Sequence, residues 1–109
     1  MCTLTFIPRA KGYYLAMNRD EQLTRVAGLP PSRRIINGHS VLSPSEPGGG
    51  TWIVLGENRA SFALINWYSI RARVKDKAVS RGEVVNSVSA SDSFERADAA
   101  LVGLPAFPT

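Results

Sequence analysis

The sequence predicts an α+β fold in which antiparallel strands come first and helices follow. Three observations carry that expectation. Apolar and polar residues alternate through much of the first two thirds of the chain. Turn residues interrupt the alternation at short intervals. From Ser80 onward the apolar spacing changes to that of amphipathic helices. A chain of 109 residues suits one domain and can bury a core without disulfide staples.

The elements follow in order. "CTLTFIP" alternates and is rich in strand formers, so a strand is expected over 2–7, ended by Pro8. "RAKG" supplies a turn with Gly12 as the breaker, and "YYLAMNRD" returns as the second strand of a hairpin. In that strand Tyr13, Leu15, Met17 and Arg19 share one face, and Tyr14, Ala16, Asn18 and Asp20 the other. "GLPPSRR" and "SPSEPGGG" read as loops. Between them "RIINGHSVLS" has the form of a short hairpin turning on Asn37-Gly38. "GTWIVLG" and "ASFALINW" are strands joined by the turn "GENR". Phe62, Leu64 and Asn66 fall on one face of the second, which places an amide at the end of an apolar strand. Ser80 and Glu83 have capping-box spacing ahead of a stripe of Val84, Val85 and Val88. Asp92 and Glu95 repeat the device ahead of Phe94, Ala97, Leu101 and Leu104, and Gly103 and Pro105 stop the second helix.

Composition excludes several classes. No apolar run is long enough to span a bilayer, and the N-terminus lacks a signal-peptide layout because Arg9 and Lys11 follow its first apolar segment. One cysteine makes no internal disulfide and no cysteine-rich zinc site, and it suits a reducing, cytoplasmic setting. The net charge of +4 favours anionic partners. In "RARVKDK", Arg71, Arg73, Lys75 and Lys77 would line one side of an extended segment. No nucleic-acid motif accompanies them, so a solvated strand edge is expected rather than a nucleic-acid patch.

The candidate chemistry lies at the N-terminus. Removal of Met1 would leave Cys2 with a thiol and a free α-amine on one residue. An α-amine with a reference pKa of about 7.7–8.0 is a suitable base for that thiol. Asp20 is placed to hold the amine, and Arg19 to favour the thiolate or anchor a substrate carboxylate. Asn66 is a candidate oxyanion donor. Trp52, in "GGGTW", is a core residue on its own and a substrate contact if the loop lines the site. His39 is the only histidine, and its turn-like surroundings speak against a catalytic role. Taken singly, each residue has an ordinary structural explanation. Cys2 alone is a common core residue, and "NRDE" alone is a turn with a surface ion pair.

Their order together is what is distinctive. "MCTLTF", "GYYLAMNRDE", "GGGTW", "ALIN" and "SRGEVV" resemble successive motifs of the NRDE, or Transport and Golgi organisation 2, family, from Met1 to about Val85. That family is similar to N-terminal nucleophile hydrolases of the choloylglycine hydrolase type. The resemblance implies an αββα sandwich of helices on two stacked antiparallel sheets. It also implies hydrolysis of a linear carbon–nitrogen (amide) bond in a small molecule. It puts Cys2 in the nucleophile position, Arg19 and Asp20 in the positions that follow it, and Asn66 at the oxyanion hole. Such domains continue into a second set of strands, which supplies another Asn and another Arg. The resemblance therefore implies that residues 1–109 are a single domain without its C-terminal half. An apolar face left bare would invite self-association or a partner that completes the fold. The alternative implied by the family is a non-catalytic binding or trafficking protein, related to Golgi organisation and secretion. Its ligand would be haem or another amphipathic molecule; hydrolysis itself needs no cofactor.

Overall fold

The computed structural model describes residues 2–65 and 80–104. Asn66 and the basic strip from Arg71 to Lys77 lie outside the described residues. The chain forms strands β1 (Cys2–Arg9), β2 (Gly12–Arg19), β3 (Leu29–Ile36), β4 (His39–Ser45), β5 (Ile53–Gly56) and β6 (Ser61–Ala63), then helices α1 (Arg81–Val88) and α2 (Phe94–Val102). The expected α+β class is observed, with every described strand pair antiparallel.

Strands β1 and β2 form a two-stranded hairpin in which Cys2 opposes Arg19 and Arg9 opposes Gly12. Pro8 does not end the first strand as the sequence suggested. It lies inside β1, opposite Tyr13, in a strand that pairs on one side only among the described residues. A residue without an N–H is tolerated where the ladder has an open edge. The same reasoning corrects the loop expected at "GLPPSRR": Pro30 and Pro31 belong to β3, the edge strand of the second sheet, where the register shifts between Leu29 and Ser32.

That second sheet has the order β3-β4-β5-β6. The Asn37-Gly38 turn joins its first two strands as expected, with φ of 50° and 79°, the left-handed pair that a tight hairpin turn requires. "GENR" also turns as expected, closed by Gly56 N–H on Ala60 O at 2.8 Å and Arg59 N–H on Gly56 O at 3.0 Å.

Directly opposed residues share a face of a sheet. Val41 opposes both Arg34 and Gly56, so these lie on one face with Ser43 and Val54, and Leu42 and Leu55 lie on the other. The helices cover the first face. Val41, Val54 and Val85 form the buried centre, with Ile36, Phe62 and Leu64 packed around them. Val84, Val85 and Val88 are the buried stripe of α1, as their spacing predicts. Each buried valine contributes about 1.5–3 kcal/mol relative to exposure. Ser80 caps α1 with the full capping box, its hydroxyl accepting from Glu83 N–H at 3.2 Å and Glu83 accepting from Ser80 N–H at 3.1 Å.

The second helix departs from expectation. Its N-cap is Ser93, whose hydroxyl accepts from Arg96 N–H at 3.2 Å. Asp92 instead pairs with Arg96 Nη1 at 3.0 Å, so the cap moves on by one residue. Of its expected apolar stripe only Ala97 is buried, Leu104 is half-buried, and Phe94 is 82% exposed. The periodicity is real, but among the described residues most of that face is left uncovered.

Candidate functional site

Cys2 is the free cysteine, half-buried at the start of β1. The hairpin register opposes it directly to Arg19, so both side chains leave the same face at adjacent positions. Opposed residues in antiparallel pairs have Cβ atoms roughly 4.5–5.5 Å apart. The sequence placed 16 residues between them; the tight turn at Ala10-Lys11 brings them together. Of the two faces of β2, the one that carries Arg19 is the more buried: Leu15, Met17 and Arg19 are half-buried, and Ala16 and Asn18 are exposed. Asp20 is exposed and lies one residue beyond the paired register.

Arg19 is firmly held. Its guanidinium carbon lies 4.1 Å from the centroid of the Trp52 ring. Its Nε is 2.9 Å from Glu21 Oε1, and its Nη2 donates to Glu46 Oε1. Arg25 completes a ring of charges, with Nη1 on Glu21 Oε2 at 3.1 Å and Nη2 on Glu46 Oε1 at 2.7 Å. The Arg19 side chain is only 15% exposed, so its pairs are screened less by salt than those of Arg25, which is 44% exposed. Trp52 therefore presents a ring face to Arg19. Gly28 lies against the same indole, where an added Cβ would come 2.8 Å from Cη2.

The loop that carries Glu46 is tight. Glu46 N–H donates to Gly50 O and Gly49 N–H to Glu46 O, both at 2.8 Å, and Gly49 has a φ of 86°. Asn86 on α1 donates to Gly49 O at 3.2 Å. Gly50 and Gly82 meet backbone to backbone, because a Cβ on Gly82 would lie 2.5 Å from Gly50 Cα. "GGGTW" and "SRGEVV" are thus two halves of one contact, which places Glu46 and Trp52 beside Arg19. Sequence reasoning missed Glu46 and Arg25. They are 27 and 6 residues from Arg19 with no periodic relation to it, and only the acidic residue ahead of a glycine run hinted at a loop contact.

Cavities among the described residues lie elsewhere. One of about 510 Å³ is an apolar groove between β2 and the sheet face opposite the helices, lined by Tyr13, Leu15, Leu42, Ile53 and Leu55 among others. Tyr13 OH bridges its end, donating to Arg59 O at 3.2 Å and bonding Ser61 Oγ. Cys2 is not among the lining residues, and Arg19 is four residues along β2 from Leu15, roughly 13 Å in a strand. Another, of about 240 Å³, includes His39 and Glu57. His39 Nδ1 is 2.9 Å from Glu57 Oε1, and Ser40 N–H donates to Glu57 Oε2 at 3.1 Å. Those bonds, His39 first, hold the Glu57 carboxyl below its usual 4.5. No group of three His, Cys, Asp or Glu residues fit to hold a metal occurs among the described residues.

The Transport and Golgi organisation 2 family model matches residues 1–101, both sheets and most of the second helix. The chain belongs to this family. No curated protein and no solved structure matches it. The match spans the segments that meet here: the N-terminal Cys, the Asn-Arg-Asp-Glu run whose Arg19 opposes it, and the Gly-Gly-Thr-Trp segment whose Trp52 lies against Arg19. Among the described residues of this family member, no helix is long and apolar enough to cross a membrane.

Proposed function

We propose that this protein is an N-terminal cysteine hydrolase that cleaves a linear amide bond in a small molecule. The observation that carries the reading is the pairing of Cys2 with Arg19 across the hairpin, on the face turned toward the rest of the molecule. After removal of Met1, the α-amine of Cys2 takes the thiol proton, directly or through one water. The thiolate attacks the amide carbonyl carbon. Arg19 opposes the thiolate across the hairpin, Asp20 orients the amine, and the side-chain amide of Asn66 donates to the oxyanion. The carbon–nitrogen bond then breaks, and the amine product leaves with the proton. Water, deprotonated by the same α-amine, releases the acid and restores the thiol. The corresponding fold is the αββα sandwich, with the β1–β2 hairpin in one sheet and β3–β6 in the other. Residues 1–109 belong to a single domain of that type.

Mass spectrometry of the intact protein tests the first step. The expected result is quantitative loss of Met1 and one added acyl group after exposure to an activated ester. Cys2→Ala should abolish the adduct at an unchanged melting temperature. Retained Met1 would end the hydrolase reading.

The apolar groove of about 510 Å³ favours a second reading, a carrier of an amphipathic ligand such as haem. It needs no nucleophile and fits the transport named in the family's description. Saturable haem binding that survives Cys2→Ala supports it; no spectral shift beyond that given by an unrelated protein refutes it.

A further inference from the structure

Two arginines, Arg19 opposite Cys2 and Arg25, converge on one carboxylate oxygen. Arg19 Nη2 and Arg25 Nη2 both donate to Glu46 Oε1. Their other nitrogens are tied together by Glu21, which gives Oε1 to Arg19 Nε at 2.9 Å and Oε2 to Arg25 Nη1 at 3.1 Å. The two glutamates therefore have different parts. Glu21 is a two-oxygen bridge that fixes the spacing of the guanidiniums. Glu46 fills the notch between them, reaching in from the glycine loop with a side chain 29% exposed. Trp52 lies against the Arg19 guanidinium, a cation–π contact that favours this position. Such a notch of two convergent N–H donors is suited to a carboxylate oxygen, which accepts both as Glu46 Oε1 does.

The geometry points to a carboxylate subsite whose resident occupant is Glu46. An incoming carboxylate takes the place of the Glu46 side chain between Arg19 and Arg25. Charge balance favours the exchange over simple addition, since the ring of Arg19, Arg25, Glu21 and Glu46 is neutral when closed. Glu46 can leave by side-chain rotation while the backbone bonds of the loop, Glu46 N–H to Gly50 O and Gly49 N–H to Glu46 O, stay made. Resting on the hydrolase reading, this names the substrate class: an amide that carries a carboxylate a few bonds from its carbonyl. Arg25 and Glu46 become specificity-determining residues, and Glu46 holds affinity down until an anion competes with it.

The test uses N-acetylglycine as the anionic probe and N-acetylglycinamide as its uncharged counterpart, followed by NMR of the arginine Nε–H resonances. Glu46→Gln should bind N-acetylglycine about tenfold more tightly than the unmodified protein, the scale of one charge-assisted contact released. Neither protein should bind N-acetylglycinamide, and adding Arg25→Gln to Glu46→Gln should cancel the gain. Equal affinities in the unmodified and Glu46→Gln proteins would overturn the proposal, as would equal binding of the uncharged probe. Should Glu46→Gln melt early, Glu46→Asp replaces it, with a smaller gain expected because the shorter acid retreats from the notch; no gain again refutes the subsite. Alkylation of Cys2 by iodoacetamide in the same samples separates the two readings. An alkylatable Cys2 without carboxylate binding removes the subsite alone; carboxylate binding beside an inert Cys2 removes the hydrolase alone.

Discussion

Gly82 has no room for a side chain. A Cβ there would stand 2.5 Å from Gly50 Cα and 3.0 Å from Thr51 N, both backbone atoms that cannot rotate away. Gly82→Ala should therefore cost about 1–3 kcal/mol in urea denaturation, the usual scale for overpacking. Gly48→Ala, with nothing within 4 Å of its added carbon, should be nearly silent. The glycine of "SRGEVV" thus serves the contact that positions the glycine loop, a reason invisible in its own neighbourhood. His39 and Glu57 make a second residue-scale prediction. The Glu57 carboxyl is depressed below 4.5 by His39 and by the Ser40 N–H, so its charged form is favoured in the folded protein. That contribution is complete above the unfolded pKa and is lost as pH falls through the lower, folded one. Melting temperatures of the protein and of Glu57→Gln should differ at pH 6 and converge as pH drops below 4.5. The pair is solvent-exposed, so the difference should be small and should shrink further in salt.

Among the elements, α1 is the one whose every feature could be read in advance: cap, capping box and buried stripe all fall where the spacing puts them. Ser80→Ala removes the acceptor for Glu83 N–H and should cost about 1 kcal/mol, measured by thermal or urea unfolding. The Asn37-Gly38 hairpin was equally legible, because few residues adopt two successive positive φ values. The β1–β2 hairpin was legible in its pairing but not in its extent, since Pro8 stays within the strand. Proline and glycine mark breaks only where a ladder bond or a side chain is needed, and at an open edge neither is. The cap of α2 was misplaced by one residue because Asp92 and Ser93 both satisfy the cap chemistry. What separates them is Arg96, which takes Asp92 as its ion-pair partner.

At the scale of the molecule, apolar side chains are uncovered among the described residues. Phe94 and Val102 on α2 are 82% and 78% exposed, and Ile7 and Tyr14, opposed on one face of the hairpin, 46% and 62%. Patches of this kind drive association. Sedimentation velocity should show a concentration-dependent rise in mass, which Phe94→Ser reduces; a monomer at all concentrations would count against it. The sequence by itself determined the fold class, the order of the elements, the valine stripe of α1 and the β1–β2 hairpin, because these follow from local periodicity and turn chemistry; the register that sets Cys2 opposite Arg19 came with the structure. Only the tertiary structure decided what Arg19 touches. Its partners Glu46 and Trp52 arrive on a loop held by a glycine-to-glycine contact with α1, and no period in the chain encodes a meeting between segments 27 and 33 residues distant. Burial was likewise settled in three dimensions: the same helical spacing buries Val85 and leaves Phe94 in water, since periodicity names a face and packing alone supplies the surface that covers it.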